Sequence, residues 1–274
     1  MRAHNLSASR SRPELFEQLV KAFARLPYEN ISKIIKLSQQ RDSPERIRQP
    51  DEVVRDHLRE RLGGTCFSLT FTLQAILSRS GFFCYPVMAH MRVGRNIHCA
   101  LVVLVEGTKY LVDPGYLFGR PVELDPERLI SFRNEFSRVQ IAFQPENSCY
   151  HLYTITEQER KWRYSVSDKP VSPHEFLQHW QASFTKNAMH GICLNRVTPK
   201  GLIYVRKKFM REITPEQRRN IDIKRHYHAA IKEAFGIRQD LVEQALAALE
   251  DNMAWEREQG IYRPKEAGYE TVGS

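Results

Sequence analysis

The stretch Arg61–Gly81, RLGGTCFSLTFTLQAILSRSG, decides how this chain is read. Two adjacent glycines, Gly63 and Gly64, close one apolar-periodic segment, and Thr65-Cys66 opens another. Thr65 is expected to cap a helix whose buried stripe is Leu69, Leu73, Ile76 and Leu77, with Gly81 ending it. Cys66 then falls in the first turn, where backbone N–H groups have no carbonyl partner and the helix terminus favours a thiolate. The glycines are expected to leave room for a substrate to approach the backbone, with N–H groups around Gly64 and Thr65 holding an oxyanion. A packed small hydrophobe is the plainer reading of an isolated cysteine. What flanks the stretch must choose between the two.

Upstream, RPELFEQLVKAFARL places Leu15, Leu19, Ala22 and Phe23, with Leu26 beyond, on one helical face behind Pro13. SQQRDSPERIRQP is polar and carries prolines, which predicts a loop. Asp51, after Pro50, is expected to cap EVVRDHLRERL, which the two glycines terminate. Downstream the hydrophobic period changes. FFCYPVMAHMRV, NIHCALVVLVE and TKYLVDPG are rich in β-branched and aromatic residues and are separated by GRN and EGT, the pattern of antiparallel strands joined by short turns. CYHLYTI and KWRYSVS extend the β region. SPHEFLQHWQASF reads as a helix, and GICLNRVTPKGLIYVRKKFM as a hairpin around Pro-Lys-Gly. Thr214-Pro215-Glu216-Gln217 has the form of a capping box opening a helical C-terminus. No internal repeat is present, and the tail after Gly260 has no periodicity. Helices, then strands, then a mixed region make an α+β chain.

With 274 residues, 42% of them hydrophobic, there is ample material for a core. No apolar run approaches the roughly 18 residues of a membrane span, so no membrane association is expected. The basic, Ser-rich N-terminus has no apolar segment behind it for a secretory signal. Five cysteines without a CxxC pair argue against a disulfide framework and a structural zinc site. A reducing, cytoplasmic setting and a metal-free mechanism are expected. The net charge of +9 is concentrated. Arg196, Lys200, Arg206, Lys207, Lys208 and Arg211 fall in one stretch without an acid, and Arg218, Arg219, Lys224 and Arg225 follow. Such a face suits nucleic acid, an acidic membrane or a phosphate-bearing cofactor, or is simply solvated. No nucleic-acid module signature accompanies it, so no nucleic-acid partner is expected.

A thiolate nucleophile needs a base. His98 lies on NIHCALVVLV, where alternation sets His98, Ala100, Val102 and Leu104 against Ile97, Cys99, Leu101 and Val103. Asp113 ends the next strand, in KYLVDPG. The hairpin between the strands brings His98 and Asp113 towards one end of the sheet, where a carboxylate fixes the imidazole tautomer and stabilises its charged form. Alone, each residue has a bland alternative: a packed thiol, a hydrogen-bonded strand histidine, a turn aspartate. Together they give the Cys–His–Asp order of acyl transfer through an activated thiol.

The chain resembles the arylamine N-acetyltransferases, which move an acetyl group from acetyl-CoA to arylamines, arylhydrazines or arylhydroxylamines. The likeness runs through LPYENI (Leu26–Ile31), similar to the family's Pro-Phe-Glu-Asn-Leu, GGTCF around Cys66, NIHCALVV around His98 and YLVDPGY around Asp113. It continues in SFTKNAMHGICLNRVTPKGLIYVRKKF, which looks like the family's Phe-x-x-Asn segment and third-domain hairpin, and in AFGI (Ala234–Ile237). The resemblance implies a cysteine-protease-like fold in three parts: an N-terminal helical bundle, 1–81, carrying the nucleophile; a central antiparallel β-barrel, 82–185, carrying the histidine and aspartate; and a C-terminal α/β lid, 186–274. It implies Cys66, His98 and Asp113 as the triad of a ping-pong acetyl transfer. The CoA thioester donor is expected near Gly64, Thr65, Gly115, Lys207 and Lys208, and the amine acceptor against Tyr116 and Phe118.

The chain departs from the family where Leu62 replaces an arginine directly before the glycines, with Arg61 one place earlier. Ser68 and Thr70 stand where Glu or Gln and Asn are usual. Pro114-Gly115-Tyr116-Leu117 replaces Val-Gly-Phe-Gly. These positions adjoin the triad, so the acceptor is the expected point of divergence. An amide synthase with another amine acceptor is the nearest alternative. A papain- or transglutaminase-like thiol hydrolase shares the order of residues but not the Pro-Tyr-Glu-Asn segment or the third part. A non-catalytic basic module has only the altered neighbours of the triad in its favour.

Overall fold

The computed structural model describes residues 11–155, 159–186, 189–214 and 217–261. Asn187, the basic N-terminus and the aperiodic tail lie outside them. The chain opens with α1 (Arg12–Phe23), a two-residue strand β1 (Tyr28–Glu29), α2 (Ile31–Gln39), α3 (Pro50–Glu60) and α4 (Cys66–Arg79). Strands β2 (Phe83–Met91), β3 (Gly94–Val105), β4 (Thr108–Val112), β5 (Val122–Glu123), β6 (Ile130–Arg133), β7 (Arg138–Gln144), β8 (Cys149–Ile155) and β9 (Arg160–Val166) follow. They form one antiparallel sheet in the order β5-β4-β3-β2-β9-β8-β7-β6, a nearly closed barrel. After α5 (Pro173–Ala182) come β10 (Cys193–Thr198), β11 (Gly201–Arg206), β12 (Phe209–Ile213) and β13 (Arg218–Asp222), then α6 (Tyr227–Phe235) and α7 (Gln239–Glu258).

The elements sit close to where the hydrophobic pattern put them, with instructive exceptions. In α1 the buried stripe is Phe16, Leu19, Val20 and Phe23, turned slightly from the predicted face. Phe16 packs on Phe82 and Tyr110, with ring centroids 5.5 and 5.7 Å away. Helix α3 begins at Pro50 with Gln49 outside it, so Asp51 lies in the first turn rather than at the cap. There its carboxylate still meets the positive helix end. Arg61, not a glycine, closes α3 in the left-handed region at φ 61°. The β2–β3 turn is tighter than predicted: Gly94 already pairs with Met91, and Asn96 takes a positive φ of 53° within β3.

Gln217 leads into a strand rather than a helix, and Pro215 and Glu216 of the expected capping box lie outside the described residues. The Gln217 N–H donates to Thr214 Oγ1 at 3.2 Å, and β13 returns antiparallel to β12. A Thr hydroxyl accepting from the third residue on is common to helix caps and tight turns, so the local pattern does not distinguish them. Strands β5, β6 and β7 were not anticipated.

Period two in β3 joins two cores. Leu101, Val103 and Val105 pack against α1 and α4, with Leu69, Leu73 and Leu77 from α4. Ala100 and Val102 face the barrel interior beside Tyr164 and Leu152. Leu69 and Leu73 are essentially inaccessible, where Leu→Ala costs about 3 kcal/mol. A third core joins Phe67 of α4 and Ile31 and Ile34 of α2 to Trp180, Ile231 and Val242. Strand β1 pairs with β10, Tyr28 opposite Asn195 and Glu29 opposite Leu194, and so belongs to the sheet β1-β10-β11-β12-β13. The Glu29 N–H also donates to Gly64 O at 3.0 Å. The glycine loop before Cys66 is thereby tied to the last sheet of the chain.

Candidate active site

Cys66 is the first residue of α4, and Leu69 makes the first intrahelical hydrogen bond back to Thr65 O at 3.0 Å. The N–H groups of Cys66, Phe67 and Ser68 therefore have no carbonyl one turn earlier in the helix. Thr65 caps the helix by backbone position and contributes no side-chain hydrogen bond. The Cys66 Sγ lies 3.9 Å from Ile97 O on β3. His98 and Asp113 come together as the hairpin predicts: Nε2 of the imidazole is 2.7 Å from Asp113 Oδ2, both side chains buried. The second carboxylate oxygen accepts the Tyr116 N–H at 2.9 Å. Asp113 is thus bonded on both oxygens and its orientation is fixed.

The electrostatics favour a thiolate–imidazolium pair. The neighbouring Cys99 thiol, whose Sγ lies 3.5 Å from Thr70 Oγ1, pulls the Cys66 thiol well below its usual value; burial opposes this, and His98 and the Lys33 ammonium add to it. Burial disfavours the His98 imidazolium, but Asp113 and Cys66 outweigh it and raise His98 to about 10. Burial lifts the Cys99 thiol well above the ordinary value, and Cys66 lifts it further, so Cys99 keeps its proton. Strand alternation sets Cys99 apart from His98, yet the helix end reaches both.

Lys33 has its Nζ 2.6 Å from Ser183 Oγ and 3.0 Å from Ser183 O, over the Phe184 ring. Burial lowers it to about 8. Sequence reasoning missed Cys99 and Lys33. A lysine amid the apolar pattern Ile31, Ile34, Leu37 was the available signal for the second.

The remaining predicted site residues divide. Gly115 packs directly on the pair: a Cβ there would lie 2.8 Å from Cys66 Cβ and 3.0 Å from His98 Cε1. The Tyr116 ring stands 5.8 Å from the His98 ring and 5.4 Å from that of Tyr164. Phe118 is turned into the barrel core against Tyr116 and Phe132 and is 3% exposed. On the side where a Cβ would stand, the two glycines meet protein rather than open space. A Cβ on Gly63 would meet Pro27 O at 1.9 Å, and one on Gly64 would meet Ser68 Oγ at 2.1 Å. The Gly64 N–H is directed at Pro27 O at 3.4 Å.

Ser68 and Thr70 are likewise used internally. Ser68 Oγ donates to Thr65 O at 3.1 Å, and Thr70 Oγ1 to Cys99 O at 3.4 Å. Lys207 and Lys208 form the exposed turn between β11 and β12, with Lys207 at φ 53°. Beside that turn lies a cavity of about 320 Å³ lined by Lys208, Lys224, Arg225, His226, Tyr227 and His228 among others. No group of His, Cys, Asp and Glu suited to a metal ion occurs among the described residues.

Comparison with known proteins agrees with this architecture. Residues 14–244 match a family model described as N-acetyltransferase. No curated protein matches the chain by sequence. Among solved structures, the arylamine N-acetyltransferase from Mycobacterium abscessus superposes with a TM-score of 0.75 at 18% identity, covering 89% of this chain and 91% of that one. The Salmonella typhimurium enzyme gives 0.72 at 16%, over 90% and 96%. A Bacillus cereus arylamine N-acetyltransferase, described as having a Cys-His-Glu catalytic triad, gives 0.68 at 16%, over 86% and 96%. The class is therefore that of enzymes that transfer an acetyl group. Within it, the chain belongs to the arylamine N-acetyltransferase family.

Proposed function

We propose that the chain transfers an acetyl group from acetyl-CoA to an arylamine or arylhydrazine by a ping-pong route through an acetyl thioester on Cys66. The observation that carries this reading is Cys66 at the first residue of α4 beside His98, which is held by the buried Asp113 carboxylate at 2.7 Å. That arrangement draws the thiol down and raises the imidazole to about 10. The Cys66 thiolate attacks the donor carbonyl, and N–H groups of the first turn of α4 receive the oxyanion. Collapse of the tetrahedral adduct breaks the C–S bond to CoA, and His98 gives its proton to the departing thiolate. The amine then attacks the acetyl-Cys66 carbonyl, His98 takes the amine proton, and Cys66 leaves as thiolate. Asp113 keeps the proton-bearing nitrogen of His98 on its own side throughout.

Lys207, Lys208 and the basic cavity beside them receive the CoA phosphates in this reading, since the cavity lining carries no acid. Gly115 lies against the reacting thiol, and Tyr116 offers the aromatic wall nearest the imidazole. Intact-mass analysis after mixing with acetyl-CoA tests the proposal. It predicts a gain of one acetyl group on Cys66 that disappears on adding an aromatic amine. Absence of an adduct, or an acetyl group mapped to Cys84, Cys99, Cys149 or Cys193, rejects it.

A further inference from the structure

The polar, proline-bearing loop between α2 and α3 contains a buried guanidinium. Arg48 is 3% exposed. Its Nη1 lies 2.6 Å from Gly63 O and 2.8 Å from Ser32 Oγ, and its Nη2 lies 2.8 Å from Asp56 Oδ2. Glu29 Oε1 is 3.5 Å from the same Nη1, and Glu29 is itself inaccessible. The Glu29 carboxylate accepts from Ser32 N at 2.9 Å and Ser32 Oγ at 2.6 Å. With Glu52 Oε1 3.8 Å from Nε, one planar fork thus joins three carboxylates, a hydroxyl and a main-chain carbonyl. A lysine ammonium, a point charge on a different stem, does not reproduce that geometry.

We infer that Arg48 is the positioning residue for the Gly63–Gly64 turn that presents Cys66. The inference rests on the proposed reading of Cys66 as nucleophile. Both glycine peptides are fixed: Gly63 O by Arg48, Gly64 O by the Glu29 N–H, and Gly64 N by Pro27 O. The chain then runs through Thr65 straight into the helix end that aims the thiol and the first-turn N–H groups. Leu62, directly before the glycines, is buried and apolar and offers the turn no polar group. The fork reaches the turn from fifteen residues upstream instead.

Arg48→Lys tests this, with Arg48→Gln/Glu29→Gln as the companion that removes both charges of the fully buried pair and leaves the part-exposed Asp56 to Arg55. Three quantities are read: thermal midpoint, the single-turnover rate of Cys66 acylation by acetyl-CoA, and the pH dependence of Cys66 alkylation by iodoacetamide. The expected result is an acylation rate per folded molecule lowered by about 10- to 100-fold. The acid limb of the alkylation profile moves up, and the donor KM stays within about twofold. A loss that follows only the folded fraction, with rate and alkylation profile unchanged, overturns the inference. Alkylation uses no acetyl donor, so it judges Arg48 even if wild-type Cys66 proves not to accept acetyl from CoA.

Discussion

His98 Nε2 and Asp113 Oδ2 meet at 2.7 Å across adjoining β-strand ends, and the other Asp113 oxygen is taken by the Tyr116 N–H. This geometry leaves the carboxylate one orientation and the imidazole one tautomer. Asp113→Asn can still accept the Tyr116 N–H, so the loop should stay in place. The amide, however, no longer stabilises a charged His98. The acetyl-transfer rate should fall by about 10⁴-fold with little change in thermal midpoint. A steady-state assay checks it, and a variant within tenfold of wild type rejects the triad.

Reactivity of Cys66 should extend to unusually low pH. Its lowered thiol value means that the thiolate contribution to stability is present above the ordinary thiol range and is lost only as pH falls through the depressed value. His98 works in the opposite sense: its contribution is complete below the ordinary imidazole value of about 6.5 and is lost as pH rises through about 10. Alkylation of Cys66 against pH, with thermal midpoints at each point, should show an acid limb well below that of an unperturbed thiol. The midpoints should decline as pH rises from about 6.5, and the His98 contribution should be gone once pH passes about 10. In Asp113→Asn the alkaline limb should move down. An acid limb in the normal thiol range would reject the ion pair.

The Cys99 thiol keeps its own proton, has its Sγ 3.5 Å from Thr70 Oγ1, and is the main influence drawing Cys66 down. Cys99→Ala removes that buried polar neighbour, an influence of about 1 kcal/mol by analogy with a buried hydrogen bond, which translates into a rise in the Cys66 value of somewhat under one unit. Below the new value, alkylation should slow by roughly fivefold, while Cys99→Ser, which restores a donor, should slow it less. Equal rates in wild type and Cys99→Ala would show that His98 and Lys33 alone hold the thiol down.

The basic cavity gives a salt-dependent prediction. Lys208, Lys224 and Arg225 line it, and Lys224 is itself only loosely paired, 3.6 Å from Asp222. Exposed ion pairs contribute about 0.2–1 kcal/mol each. Lys208→Ala and Arg225→Ala should therefore each raise the acetyl-CoA KM by about two- to fivefold at low salt, leave kcat unchanged and lose their effect at high salt. A KM that is insensitive to both changes would place the donor phosphates elsewhere.

Much of this site was legible because it follows local rules. Period two put His98 and Asp113 on adjacent strands, and a helix start after a glycine pair put Cys66 at a helix end. What was not legible depends on partners distant in the chain. Arg48 sits in a segment whose composition reads only as a polar loop; its burial follows from Glu29, Ser32 and Asp56 converging on it. The glycines at 63 and 64 looked like space for a ligand because a missing Cβ reveals a close approach but not by what; here it is Pro27 O and Ser68 Oγ. Thr214 was misread because cap and turn share one hydrogen bond. Strands β6 and β7 do alternate, with Ile130 and Phe132, then Val139, Ile141 and Phe143, on the barrel side, but both are short with an arginine at one end, so no continuous apolar run marks them.

Gly115 gives the sharpest steric test. It follows Pro114 in the turn after β4, and its Cα approaches Cys66 and His98 so closely that a methyl group has nowhere to go. The built Cβ would stand 2.8 Å from Cys66 Cβ and 3.1 Å from Cys66 Cα, atoms of a helix end that cannot swing aside, and 3.0 Å from His98 Cε1. The backbone conformation is no obstacle, because Gly115 is not among the positive-φ residues. Only contact is at stake, so the cost falls on the distance between thiol and imidazole. In Gly115→Ala the turn must lift or the imidazole must rotate away from Cys66, and either loosens the His98–Asp113 bond. A misplacement of about 1 Å at a reacting centre lowers rates about 10²-fold. Overpacking costs about 1–3 kcal/mol of stability, which a stable fold survives. The expected variant is folded, has lost most single-turnover acylation, and alkylates Cys66 slowly at neutral pH. Pro114→Ala, one residue earlier and without the added Cβ contact, should be far milder. If Gly115→Ala acylates as fast as wild type, the close packing of this turn on the thiol does not govern the chemistry, and the site must open further than its resting geometry.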